Sequence, residues 1–184
     1  MKMNRKKEII EPTVSWFPSP VVLVSCIDRE MENKNIITIA WTGVVCSHPP
    51  LISVSIRPTR FSHELISDNG EFVINIPTSE QLESVKLCGK KTGREINKWK
   101  ACGFSPERAT KVSAPLIKEC PINIECKVVK TLPEMGTHTI FISEVQAVHV
   151  DPQVAPNSVL EIVPLCYSPK SGIYGKSLAL GKEI

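Results

Sequence analysis

Apolar and polar residues alternate most cleanly at residues 51–57, LISVSIR. Ile52, Val54 and Ile56 share one face there, and Leu51, Ser53, Ser55 and Arg57 the other, which is the two-residue period of a half-buried strand. The period returns in INIECKVVKTL (122–132), with Ile122, Ile124, Cys126 and Val128 on one side. After a PEMGT turn it continues in HTIFISEVQAVHV (138–150). PVVLVSCID (20–28) and IITIAWTGVV (36–45) are β-branched runs around the charged turn REMENKN, a pattern that predicts a hairpin. EFVINIP (71–77) adds a further strand. Phe61, Leu65 and Ile66 fall at helical spacing, and Asn69-Gly70 supplies a stop, so FSHELISDNG predicts a short helix with Thr59 or Ser62 as N-cap. Thr78 with Gln81 fits a capping box that opens a helix through Leu82, Val85 and Leu87, closed by Gly89. A polar loop, KKTGREINKWKACGFSP, holds a short helix or turn anchored by Trp99 and Phe104. Residues 151–184 are proline-rich and read as irregular, with Leu165, Tyr167 and Tyr174 as apolar anchors.

Six or more strands joined mostly by hairpins, with helices inserted mid-chain, predict a mainly β fold. An antiparallel barrel with helical insertions suits this order better than a doubly wound sheet. The expected division is a tail over 1–13, a barrel domain over 14–150, and an extension over 151–184 that packs on the barrel or on a partner subunit.

Composition narrows the function classes. The chain has 184 residues, 42% hydrophobic and 22% charged, with a net charge of +3, which is too small to argue for nucleic acid. No apolar run reaches the length of a membrane span, and MKMNRKKEIIEP lacks the apolar core of a signal peptide. Seven cysteines, an odd count, then predict reduced thiols in the cytoplasm. None are spaced C-x-x-C, and His48, His63, His138 and His149 form no i, i+4 pair. A structural zinc site is disfavoured, and most cysteines read as small core residues. The chain carries no catalytic carboxylate pair, nucleophile–base motif, dinucleotide fingerprint or glycine-rich phosphate loop.

An anion can instead be held at a helix tip, where free amides and the helix dipole favour negative charge. Arg57 ends a strand, and Thr59, Arg60 and Ser62 stand at the helix start, which supplies the guanidinium and hydroxyl groups such a site needs. The same residues also fit a plain N-cap and a surface cation.

Taken in order, PSPVVLVSCID, NIITIAWTGVVCSHPPLISVSIRPTRFSHELISDNGEFVINIP, KLCGKKTGREINKW, PLIKECPINIECKVV and GTHTIFISEVQAV resemble the flavin reductase-like family. The likeness is closest to its flavoredoxin and ferric-reductase branch and covers residues 14–150. The C-terminal YSPKSGIYGKSLALGKEI is similar to that branch's tail. The resemblance implies a homodimer of six-stranded antiparallel split barrels of Greek-key type that holds FMN noncovalently. It also implies NAD(P)H as co-substrate, with electrons passing onward to free flavin, ferric iron or a protein partner.

By the same resemblance, residues 57–62 form the phosphate corner, with Arg57, Thr59, Arg60 and Ser62. Ala40, Trp41, Thr42, Cys46 and Ser47 line the flavin, and Thr38 or Thr42 reaches the ribityl chain or phosphate. Cys88, Lys90, Arg94 and Lys98 belong to a basic segment beside the flavin or nicotinamide. Thr92 stands where the family more usually has Ser, and Trp99 where it often has Phe. His138 follows a Gly-x-His turn and is placed near the reactive face of the flavin. A non-catalytic FMN-binding electron carrier, reduced by a protein partner, fits the same motifs.

Overall fold

In the computed structural model, residues 8–15, 19–133, 136–152, 165–168 and 172–176 are described. The described chain runs β1 (Ser19–Pro20), β2 (Val22–Ile27), β3 (Lys34–Ile39), β4 (Thr42–Cys46), β5 (Leu51–Ile56), α1 (Phe61–Asn69) and β6 (Glu71–Ile76). It continues through a 3₁₀ turn (Ser79–Gln81), α2 (Leu82–Lys90), α3 (Lys98–Cys102), β7 (Pro106–Glu107), β8 (Leu116–Ile117), β9 (Ile122–Leu132), β10 (Thr139–Val150), β11 (Leu165–Ser168) and β12 (Ile173–Lys176). One antiparallel sheet has the order β3-β2-β6-β9-β10-β5-β4. Its two edge strands, β3 and β4, are consecutive in the chain and separated only by Ala40 and Trp41. A sheet whose opposite edges are joined by two residues must curl into a barrel.

That closure splits the strand expected over 36–45. Up to Ile39 the chain pairs with β2, and from Thr42 it pairs with β5, with Ser55 N donating to Trp41 O at 2.9 Å in between. The sheet therefore has seven strands where six were expected. An unbroken apolar run does not reveal a change of partner.

β2 is buried along its whole length because both of its faces are covered. Val22, Val24 and Cys26 enter the barrel core with Ile37, Val54, Ile56, Phe72, Ile74 and Phe141. Val21 and Leu23 join an outer cluster with Ile36, Val85, Cys88, Trp99 and Phe104, beneath α2 and α3. Doubly covered strands read as continuous apolar runs, which is why PVVLVSCI does not alternate while β5 does.

The capping box at Thr78 and Gln81 forms in both directions, and Gly70 ends α1 in the left-handed conformation at φ 76°. Gly89 does not close α2. It lies inside the last turn, with Lys91 as C-cap, and a Cβ there would lie 3.4 Å from Thr38 Cβ and 3.5 Å from Tyr174 Oη. Its role is close approach between α2 and the barrel. Over 151–184, the described parts are regular where irregular chain was expected: β11 pairs with β12 and with β1.

On β9, Glu125 is 0% exposed. It accepts bonds from Thr110 N, Thr110 Oγ1, Lys111 N and Val112 N at 2.6–3.0 Å and from His149 Nε2. One carboxylate thus ties the 110–112 loop to the barrel wall. Cys26, Cys88, Cys120 and Cys126 are buried, as expected of core cysteines. Among the described residues, no helix is long and apolar enough to cross a membrane.

Candidate functional site

Beyond Ile56 the chain turns tightly, with Arg60 N donating to Arg57 O at 3.0 Å, and α1 begins at Phe61. Arg60 is the N-cap and makes no side-chain capping bond. Neither Thr59 nor Ser62 caps the helix, contrary to expectation. Ser62 lies one residue inside it, fully buried, where its Oγ accepts from Asn35 Nδ2 at 2.9 Å. Arginine has no oxygen to offer the first amides, so the tip of α1 keeps its affinity for an anion.

This tip faces a recess of about 50 Å³ whose walls include Asn35, Thr59, Arg60, Ser62, Thr92 and Lys98. Lys98, the first residue of α3, is only 3% exposed. Its Nζ donates to Ile36 O at 2.8 Å and Cys88 O at 2.9 Å, which occupies two of its three N–H bonds. Among the described residues it forms no ion pair with a carboxylate. Burial pushes its pKa down; Cys88 and then Cys26 oppose this, and Arg60 adds a lesser push in the same direction as burial. A buried ammonium with a spare donor and no counter-ion favours an anion that brings its own charge.

Arg60 is shared with a larger cleft of about 360 Å³, at the small end of ligand-sized pockets. Thr38, Ala40, Trp41, Arg57, Lys90 and His138 line it, together with Tyr167 and Tyr174. The Trp41 and His138 rings are near parallel, 10° apart with centroids at 5.9 Å. Trp41 also meets Tyr167 at 6.3 Å, and Tyr167 meets Tyr174 at 5.1 Å. Burial lowers the pKa of His138, and the positive charges of Arg57 and then Arg60 lower it further, which favours the neutral imidazole. Thr38 Oγ1 donates to Val85 O at 2.6 Å, which fixes α2 against the cleft wall.

Eleven of the sequence-derived candidates therefore fall around two adjoining cavities: Thr38, Ala40, Trp41, Arg57, Arg60, Lys90 and His138 at the cleft, and Thr59, Ser62, Cys88 and Lys98 at the recess. Four line neither. Thr42 belongs to β4 and donates through Oγ1 to Ser53 O at 2.8 Å. Cys46 donates to His48 O at 3.4 Å, and Ser47 is exposed on the turn beyond. Once β4 turns to pair with β5, the chain leaves the cleft. Arg94 pairs with Glu64 and lies over the Phe61 ring at 4.9 Å, so its charge is already engaged. Tyr167 and Tyr174 were expected only as apolar anchors, and Asn35 was not singled out at all.

Gly93 packs against the Asn35 side chain so closely that a Cβ would clash with its amide oxygen and carbon. Gly93→Ala must push Asn35 away from Ser62 beside the recess. Overpacking of this kind costs about 1–3 kcal/mol, so thermal unfolding of the ligand-free variant should show a clear fall in midpoint. An unchanged midpoint would mean that Asn35 moves aside freely.

A family model described as "Flavin reductase like domain" matches residues 14–171, and the chain belongs to that family. Among solved structures, it is similar to the flavoredoxin of Desulfovibrio vulgaris (Miyazaki F), with a TM-score of 0.86 and 28% identity over 97% of this chain and 96% of that one. It is likewise similar to a flavoredoxin from Methanosarcina acetivorans, with a TM-score of 0.85 and 26% identity over 96% and 95%. A protein of Archaeoglobus fulgidus is 38% identical over 115 residues, which is 62% of this chain and 64% of that protein. The aligned part spans just under two thirds of the curated relatives matched first.

Proposed function

We propose that this protein is an FMN-binding oxidoreductase that takes electrons from NAD(P)H and passes them to free flavin, ferric iron or a protein redox partner. The observation that carries this reading is the join between the two cavities: an anion recess with a buried ammonium opens beside an aromatic-lined cleft, with Arg60 on both. A mononucleotide has that shape, with a dianionic phosphate at one end and a flat ring system at the other. The uncapped helix tip, Lys98, Arg60 and Thr59 would hold the phosphate, while Trp41, His138 and Tyr167 would flank the ring.

FMN supplies the redox chemistry when bound, and the protein supplies position, stacking and charge. Trp41 keeps 41% of its surface exposed, so the cleft stays open for a nicotinamide to dock. Lys90 at its rim is suited to the pyrophosphate, whereas Arg57, just ahead of the turn into α1, would lend a charge-assisted bond to the FMN phosphate. His138 Nδ1 lies 2.9 Å from Thr137 Oγ1, which leaves Nε2 to meet a ligand. A homodimer is part of this proposal, with the exposed edge strand β4 as interface: Val44 and Val45 are 81% and 47% exposed there.

The test begins with purified protein and FMN, mixed anaerobically with NADH and separately with NADPH. Bleaching of the flavin absorbance by either within seconds supports the reductase. FMN binding without bleaching by either would overturn that part and leave an electron carrier, a reading favoured by the likeness to two flavoredoxins. Arg57→Ala should weaken FMN binding about tenfold, the size of one exposed charge-assisted hydrogen bond. It should also raise the His138 titration midpoint in an NMR pH series, since a positive neighbour that disfavours the imidazolium has gone.

A further inference from the structure

Cys88 closes the outer core in the last turn of α2, and Cys102 is the last residue of α3. Their Sγ atoms lie 3.6 Å apart, so a shift of about 1.5 Å would bring them to disulfide bonding distance. The two differ in access. Cys88 is buried, and burial, then the Cys102 sulfur, push its pKa up and keep it a thiol. Cys102 is partly exposed on the wall of a surface groove of about 650 Å³. Gly103 follows in the left-handed conformation at φ 67°, so the chain leaves α3 directly after Cys102 and can yield there.

We propose that Cys88 and Cys102 are a redox pair that a hydroperoxide converts to a reversible disulfide. The Cys102 thiolate attacks one peroxide oxygen, the O–O bond breaks, and a sulfenic acid and water or alcohol result. The Cys88 sulfur then displaces the sulfenic hydroxyl, which leaves as water with the Cys88 proton. Two thiols lose two electrons and two protons, and the peroxide is reduced by the same two electrons.

The bond would close a ring between positions 14 residues apart, and that ring contains the whole Lys90–Lys98 segment. Cys88 O accepts from Lys98 Nζ, so the staple bears on the candidate phosphate recess; this consequence rests on the FMN reading, whereas the disulfide itself does not. Cys120, in the same apolar cluster, is the competing partner.

The test treats native protein with a few equivalents of hydrogen peroxide, then denatures it and blocks free thiols. We expect two of the seven thiols to disappear, with a loss of about 2 Da, and a peptide map to link Cys88 to Cys102. Dithiothreitol should reverse all three changes, and Cys102→Ser should abolish them. Seven free thiols after treatment, a Cys102–Cys120 link, or Cys102 gaining oxygen without a cross-link would each overturn the proposal. If the bond forms, FMN affinity should differ at least threefold between the oxidised and reduced forms, and equal affinities would overturn the link to the recess. Mass and peptide map decide the bond whether or not FMN binds, so its failure is distinct from failure of the cofactor reading.

Discussion

Replacing Lys98 by methionine should abolish retention of FMN through purification and raise its Kd by about 100- to 1,000-fold. Truncating a buried charged partner of a hydrogen-bonded pair costs about 2–5 kcal/mol, and each tenfold in affinity is about 1.4 kcal/mol. The effect should exceed that of Arg57→Ala because the two cations differ in surroundings. Arg57 is exposed and water screens it, whereas Lys98 is buried at a recess where water compensates little. Methionine preserves the length and apolar stem of the side chain, but Ile36 O and Cys88 O lose their donor. The ligand-free variant should therefore unfold at a somewhat lower temperature, and Kd must be measured well below that midpoint. Isothermal titration on the folded variant separates the two losses. FMN affinity within threefold of the parent would remove Lys98 from the phosphate site.

The second large effect concerns stability. Glu125→Gln should cost about 3 kcal/mol at pH 7, a fall in midpoint of roughly 6–12 °C for a chain of this size. Burial by itself would raise the Glu125 carboxyl. The donors at Thr110 and Lys111 and the His149 ring more than offset this and hold it at about 2. A glutamate in the unfolded chain titrates near 4.3, so the folded state prefers the ionised form. The contribution is complete above about pH 5 and is lost as pH falls from there toward 2. The parent should lose stability steeply across that window, and the Gln variant should give a flatter curve. Denaturant melts from pH 7 to pH 3 measure both. Parallel curves for the two proteins would show that the loop at 110–112 does not depend on the charge.

These two residues also mark where the sequence ceased to be legible. β9 and β10 could be read to within a residue because alternation over a long run encodes extended chain, but it did not encode the burial of Asn123 and Glu125 on the opposite face. The capping box was legible because Thr78 and Gln81 act within one turn. The role of Glu125 was hidden, since its partners at 110–112 come from a distant loop and an acidic residue within a strand normally faces water. Lys98 was one of several cations in a polar segment. Only packing distinguishes it, because α3 turns its side chain under β3 and α2 while Arg94, four residues earlier, finds Glu64 outside. The break at Ala40–Trp41 was likewise invisible: strand propensity says which residues extend, but not when they change neighbours. Of the residues the resemblance singles out, Trp41, Arg57, Arg60 and His138 line the cleft, whereas Thr42, Cys46 and Ser47 lie beyond the point where the backbone turns to pair with β5.

The central claim is that a helix tip and a buried ammonium hold a phosphate beside an aromatic cleft. Parallel titrations with FMN and with riboflavin, which differ only in that phosphate, test it most directly. FMN should bind at least about 100-fold more tightly, and the difference should shrink to within a few-fold in Lys98→Met. Equal affinity for the two flavins, or binding of neither, would contradict the account.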